Sequence, residues 1–342
     1  MRRPPGVTVL APVPGLPRED GRPGPALLER LAAHAAGVGS LSSGVAEVAI
    51  LRHRARGTVM GYRLSGGSAV IAKRYMRPAE AAAAYDHLSR LRDGGFAPPA
   101  PHRVPEPLAC FVELGVLLMS PAEGDRLPTL AGSDGRWEDG LRAAGAWLAR
   151  LHLLPADVGS RYDSTGASVR LARRAARACA QRPDAAPLVI RLLDELADRS
   201  ALDGRVYRLV PTHGRYHPGH VFVAGPCATV IDIDRLATGD PAADLGEFLH
   251  RLRLLTRRVR LEDAAADRAA RLFLASYAQS AGNIPAALVY FWSYSAVWML
   301  LHLLEVGHPR LAQRIESYQS EFADIPRRVA DIVASLPTEG QS

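Results

Sequence analysis

The sequence predicts an α+β protein in two lobes, a small antiparallel sheet followed by a larger and mostly helical part. Three observations lead there. Residues 45–75 hold three strand-like runs separated by Ala55-Arg56-Gly57 and Ser65-Gly66-Gly67, both good turn chemistry. Beyond Gly124 apolar residues recur at helical spacing, as in Leu141, Ala144, Gly145, Leu148 and Leu151. A chain of 342 residues with 48% hydrophobic and 23% charged content can bury one large core or two moderate ones.

In chain order, residues 1–25 form a Pro/Gly-rich arm that is expected to be disordered. Arg2 and Arg3 open it, but Pro4, Pro5, Pro12, Pro14 and Pro17 break the stretch before any apolar leader core can form. Residues 26–119 make the small lobe. It begins with a short helix at 26–36, followed by strands at 45–53, 59–64 and 69–75. Pro78 then opens a helix as a favourable first-turn residue, with Glu80 in that turn and Ala81, Ala84, Leu88 and Leu91 on one face. A Pro-rich passage at 98–107 leads to an apolar pair of runs, 110–112 and 116–119.

Residues 120–124, S-P-A-E-G, read as a hinge, and residues 125–336 as the helical lobe, with a short tail at 337–342. Helices are expected up to His152 and over 168–181 and 186–197, and a strand over 206–210. Residues 272–304 carry no charge, long enough to span a bilayer. Gly282, Pro285, Gln279, Asn283 and His302 interrupt the run, so its second half reads as a buried helix and no membrane partner is expected.

Composition narrows the function classes. The net charge of +7 is spread over the chain, which argues against a nucleic-acid partner and suits a pocket for nucleotide phosphates. Cys110, Cys179 and Cys227 are far apart and form no C-x-x-C pair, so neither a disulfide framework nor a zinc site is indicated, and a reducing, cytoplasmic setting is expected. Two arginine groups stand out: Arg170, Arg173, Arg174 and Arg177 at one helical face, and Arg251, Arg253, Arg257, Arg258 and Arg260. Each reads either as a solvated face or as a docking surface for an acidic protein or peptide.

One residue is singular. Among the 42 Lys and Arg residues only Lys73 is lysine, in V-I-A-K on the third strand. An arginine-rich chain that keeps one ammonium at one place suggests chemistry that wants a compact charge rather than a planar fork.

Residues 211–249 read P-T-H-G-R-Y-H-P-G-H-V-F-V-A-G-P-C-A-T-V-I-D-I-D-R-L-A-T-G-D-P-A-A-D-L-G-E-F-L. This segment resembles the aminoglycoside phosphotransferase and choline-kinase-like family, whose loop typically reads H-G-D-x-H-P-x-N, followed by a hairpin, an I-D pair and G-D-P-x-x-D-L. V-I-A-K, the helix with Glu80, L-L-M-S-P-A-E-G-D and W-L-A-R-L-H fall in the family's order, so the resemblance spans most of the chain. It implies a two-lobed protein-kinase-like fold and phosphoryl transfer from ATP with Mg²⁺, a reaction in which the protein supplies mainly positioning and charge stabilisation.

The resemblance assigns Lys73, Glu80 and Met119 to the nucleotide, with Glu80 either paired to Lys73 or an exposed first-turn carboxylate. Asp232 matches the metal-holding aspartate, with Asp234 supporting it from the same strand face. Asp240 reads as a helix N-cap and Asp244 as a loop brace. His213 and His217 lie in the catalytic loop.

Two positions depart from the pattern. Arg215 stands where the family places the aspartate that accepts or orients the acceptor hydroxyl, and His220 where it places a metal-binding asparagine. A general base is worth about 10²–10⁴-fold, and a guanidinium cannot serve as one. Arg215 either pairs with Asp232 or clamps a phosphate, and a neutral His220 is a poor Mg²⁺ ligand. Three readings follow: a nucleotide-binding pseudokinase acting through a partner, an active phosphotransferase with a non-standard loop, or a structural subunit without nucleotide. The fold family also occurs in antibiotic resistance and natural-product assembly, and the chain's composition resembles that of GC-rich actinobacteria.

Overall fold

The computed structural model describes residues 8–9, 45–54, 57–64, 69–133, 135–155, 164–201, 209–308 and 311–336. Its contacts divide into two units between Glu123 and Gly124, inside the segment 120–124. Apart from Thr8–Val9, the N-terminal arm and the helix expected at 26–36 lie outside the described residues, as does the tail.

The first unit is built on a sheet. Strand β1 (Thr8–Val9) pairs parallel with β2 (Val45–Arg54), and every later pairing is antiparallel. β3 (Gly57–Leu64) and β4 (Ala69–Tyr75) complete the expected meander. Gly57 has φ +154°, and a Cβ there would fall on the Arg74 carbonyl, which is why this turn needs a glycine.

Helix α1 (Pro78–Asp93) follows, and its four buried residues are Ala81, Ala84, Leu88 and Leu91, the predicted stripe. Burying each leucine contributes roughly 1.5–3 kcal/mol. That face packs on β5 (Pro107–Phe111) and β6 (Val116–Met119). The spatial order is β1-β2-β3-β4-β6-β5, which places β4, the strand bearing Lys73, between β3 and β6.

The second unit opens with the short strand β7 (Asp125–Arg126) and helix α2 (Arg136–His152). α2 is followed by α3 (Ser164–Gln181) and α4 (Ala186–Ala201). Leu141, Ala144, Leu148 and Leu151 are all fully buried. A Cβ on Gly145 would strike the Phe273 carbonyl, so glycine there lets α2 lie directly against α6 (described below).

The strand expected at 206–210 instead begins at Val210: β8 is Val210–Thr212, Leu209 lies outside it, and 206–208 are outside the described residues. β9 (Val221–Ala224) and β10 (Cys227–Val230) form a hairpin, and β9 also pairs with β7. β11 (Ala237–Gly239) returns antiparallel to β8.

Four helices complete the unit: α5 (Pro241–Arg258), α6 (Asp263–Ala281), α7 (Leu288–Glu305) and α8 (Leu311–Ala334). α7 carries the second half of the uncharged segment, and eleven of its residues are buried, packed mainly against α5 and α8. No described helix is long and apolar enough to cross a membrane. Charge is also buried between these helices. Arg253 and Arg328 share Asp263 and Asp267, and Glu321 takes Arg257 at 2.6 Å and His250 at 3.0 Å.

This network accounts for most of the second arginine group. Arg251 pairs with Glu247, and Arg253 and Arg257 bind inward, leaving Arg258 and Arg260 exposed. In the first group Arg174 and Arg177 are tied to Glu305, and Arg174 lies over the Trp298 ring. Arg170 and Arg173 remain exposed. Much of what resembled a docking face is the charge that joins one helix to another.

Candidate functional site

In the first unit Lys73 occupies the middle of β4, opposite Val59 on one side and Leu117 on the other. Its half-buried side chain places Nζ 5.2 Å from the centroid of the Tyr75 ring. Glu80, one turn into α1, receives Arg77 Nε at 2.9 Å and the Arg77 Nη2 as well. That is the exposed first-turn arrangement, with Arg77 as the local partner. Met119 ends β6, paired with Ile71 and Pro107.

In the second unit the architecture explains why the loop residues meet. β8 and β11 pair, so the chain from His213 to Leu236 is a closed excursion. The β9–β10 hairpin fills its middle, and the Ile231 amide donates to the His220 carbonyl at 3.0 Å. His220 and Asp232 therefore flank the open end of one hairpin, and His220 Nε2 lies 3.3 Å from Asp232 Oδ2.

The loop 213–220 is fixed from below. α5 starts directly after β11, with Asp240 as N-cap accepting from the Ala242 amide at 2.8 Å. One turn on, the buried Asp244 carboxylate accepts from the His213 amide at 2.6 Å and the Gly214 amide at 2.9 Å, with His152 Nε2 3.4 Å away. Tyr216 is the second anchor. It is fully buried, stacks on Trp147 at 5.6 Å and Phe248 at 5.2 Å, and donates its hydroxyl to the Ala144 carbonyl at 2.8 Å. Arg126 donates to the Gly219 carbonyl at 2.9 Å and holds the far end.

Between these anchors the loop presents three imidazoles and a guanidinium. The His213 and His220 rings stack at 5.6 Å, and the His217 and His220 centroids are 3.6 Å apart. His213 Nε2 sits 3.1 Å from the Ile231 carbonyl, and His217 Nδ1 accepts from the Gly219 amide at 3.1 Å. His217 therefore carries its proton on Nε2. Burial, then the charges of Arg251 and Arg215, push the His217 imidazole down to about 3, and burial and His217 push His220 below its ordinary value, so both are neutral at pH 7.

Arg215 is half-buried beside Arg235, Asp232, Arg251 and Glu247, and burial lowers its guanidinium from the ordinary value, reinforced by Arg235. Of the alternatives for Arg215, pairing with Asp232 is not what forms: among the described residues Arg215 makes no ion pair, and Asp232 is taken by His220.

Asp234 also departs from expectation. Strand β10 stops at Val230, and Asp232 turns into the left-handed region at φ 69°. The chain then continues as a 3₁₀ turn at 233–235 with Asp234 exposed, so the two carboxylates do not share a strand face. Among the described residues Asp232 is one of two non-glycine residues with positive φ, a sparsely populated conformation of the kind that collects at functional sites.

As a donor set for Mg²⁺, Asp232 fits: one hard carboxylate oxygen suits an ion that completes its shell with phosphate oxygens and waters. His220 does not fit, because its Nε2 faces the same carboxylate and an imidazole nitrogen is a poor ligand for this hard ion. Among the described residues no cluster of three or more His, Cys, Asp or Glu is placed to hold a metal.

Comparison with known proteins follows the same outline. The sequence profile of the phosphotransferase enzyme family matches residues 61–282. The chain belongs to this family. No curated protein matches it by sequence. Among solved structures it is similar to the macrolide 2'-phosphotransferase MphH of Brachybacterium faecium, with a TM-score of 0.55 and 21% identity over 88% of this chain and 98% of that one. A thermostable mutant of the aminoglycoside phosphotransferase APH(4)-Ia, in ternary complex with ADP and hygromycin B, gives 0.60 and 17% over 89% and 99%. The amicoumacin kinase hAmiN, in complex with AMP-PNP, Ca²⁺ and Ami, gives 0.58 and 16% over 80% and 88%. At these identities the likeness establishes a kinase-like phosphotransferase fold.

Several residues of this site were not singled out from sequence. Arg235 and Glu247 act on Arg215 only because α5 and the 233–235 turn fold back on the loop, and Arg251 stood out in the sequence only as part of an arginine group. Tyr216 carried a weak signal, a large aromatic between two polar loop residues.

Proposed function

We propose that this member of the family binds Mg·ATP, and that its acceptor-activating step is lost, so that it acts as a pseudokinase or partner-dependent component. The observation that carries the reading is the setting of residue 215. A half-buried guanidinium stands on the loop, and the two carboxylates near it are engaged, Asp232 by His220 and Glu247 by Arg251. A guanidinium offers donors and no acceptor, so it cannot take the proton of an attacking hydroxyl. The neutral His217 uses its basic Nδ1 on the Gly219 amide and cannot take that proton either.

On the nucleotide side the reading rests on Lys73, Met119 and Asp232. Lys73 would meet the phosphates, Met119 would lie against the nucleotide, and Asp232 would hold Mg²⁺, whose charge offsets that of the phosphate oxygens. Nucleotide-bound relatives such as the ADP and AMP-PNP complexes support this reading.

The test is thermal and chemical denaturation with and without Mg·ATP. At about 100 times its dissociation constant the ligand should add roughly 2.7 kcal/mol, and Lys73→Ala should abolish the gain. No stabilisation at millimolar Mg·ATP would leave a structural subunit. The alternative, an active phosphotransferase of a small-molecule or peptide hydroxyl, is favoured by the retention of Lys73 and Asp232. It requires that the wild-type chain consume ATP when given its acceptor.

A further inference from the structure

The charges around the loop 213–220 do not balance. Arg215 lies within the electrostatic reach of two further guanidinium groups, Arg235 and Arg251, and of two carboxylates, Asp232 and Glu247, which leaves one positive charge in excess. Both carboxylates are already committed, to His220 at 3.3 Å and to Arg251 at 2.9 Å. Arg215, with five N–H donors and no described acceptor, is half-buried, a position that costs free energy unless an anion joins it.

The neighbouring group has the same polarity. His217 uses Nδ1 on the Gly219 amide, so its remaining ring atom, Nε2, is also a donor. The backbone that carries these donors is rigid, because Asp244 and Tyr216 lock the loop on either side of Arg215.

From this juxtaposition we infer that Arg215, supported by Arg235 and Arg251 and flanked by His217 Nε2, forms a binding site for a phosphate group. The fork of Arg215 matches two oxygens of a phosphate, and a bidentate arginine pair is the strong form of such a contact. The phosphate comes either from the terminal position of a nucleotide or from a separate phosphorylated ligand. The inference deepens the proposed function, and rests on that reading only for the first of these two sources.

Inorganic phosphate is the probe, titrated calorimetrically into the full chain in chloride-poor buffer. Wild type is expected to bind it. Arg215→Gln should weaken binding at least 10-fold and Arg215→Lys by an intermediate factor, with Arg170→Gln unchanged as the control for general charge. Circular dichroism and the melting temperature establish that each variant is folded, and Arg215→Lys serves if Arg215→Gln is not.

Repeating the titration with ADP and then ATP present assigns the source. Loss of phosphate binding with ATP but not ADP identifies the terminal phosphate, and retention with both identifies a separate ligand. Absence of phosphate binding by wild type, or equal binding by wild type and the Arg215 variants, overturns the inference. If ATP fails to bind while phosphate binds through Arg215, the nucleotide reading alone has failed.

Discussion

Removing the Asp244 carboxylate should release the loop on which the proposed site depends. This side chain is 1% exposed and accepts two backbone amides, His213 at 2.6 Å and Gly214 at 2.9 Å. Asp244→Ala leaves both amides without an acceptor in a dry setting, and each orphaned donor costs about 1–3 kcal/mol. His152, 3.4 Å from the same carboxylate, keeps its contact with the Tyr277 hydroxyl at 2.9 Å and adds little. The expected loss is about 3–5 kcal/mol. Asp244→Asn retains one acceptor oxygen but turns an N–H₂ toward the second amide, and should lose about half as much. Urea unfolding with linear extrapolation reads both, and Asp234→Ala on the exposed turn should fall within about 0.5 kcal/mol of wild type. If Asp244→Ala lies within 1 kcal/mol of wild type, Asp244 does not hold this loop and the account of its geometry is wrong.

Two further predictions concern charge. His217 is pushed down to about 3 in the fold against about 6.5 unfolded, so the unfolded chain binds the extra proton between those values and stability falls as pH drops through that window. At pH 5 this residue should account for about 1–2 kcal/mol of lost stability, and His217→Asn, whose oxygen still accepts from the Gly219 amide, should show a shallower acid limb in pH-dependent melting. Glu321 is buried between His250 and Arg257; burial raises its carboxyl, but those partners bring it below the usual range. Glu321→Gln leaves the Arg257 charge uncompensated and keeps only one acceptor oxygen for two partners, and should cost about 3–5 kcal/mol by urea unfolding, against under 1 kcal/mol for the exposed Asp331→Asn.

Periodicity was legible wherever one face of an element is buried. Ala81, Ala84, Leu88 and Leu91 announced α1, and Leu141 to Leu151 announced α2, because packing on one side forces a stripe at helical spacing. Caps were legible for the same local reason: Asp240 before Pro241 has one backbone use. The strand before the loop was displaced because β8 exists only through its pairing with β11, a contact 25 residues away that leaves no local pattern.

Asp234 misled because alternation was extended past Val230, and nothing in the sequence says that Asp232 adopts a left-handed turn. The arginine groups misled in the opposite direction, since helical spacing shows which residues share a face but not which carboxylates lie across it. Glu305, Asp263, Asp267 and Glu321 meet those arginines only through helix packing. In the loop the residue types were readable one by one, whereas the charge imbalance around Arg215 required Arg235, Glu247 and Arg251 to be brought together.

Under the proposed function Arg215 disables acceptor activation while nucleotide binding is kept. ATP turnover to ADP by wild type and Arg215→Asp, measured side by side at saturating Mg·ATP, tests it most directly. Negligible turnover by wild type is expected, with a gain on the order of 10²-fold or more when the carboxylate is restored. Wild type that turns over ATP readily, with no gain in Arg215→Asp, would contradict it.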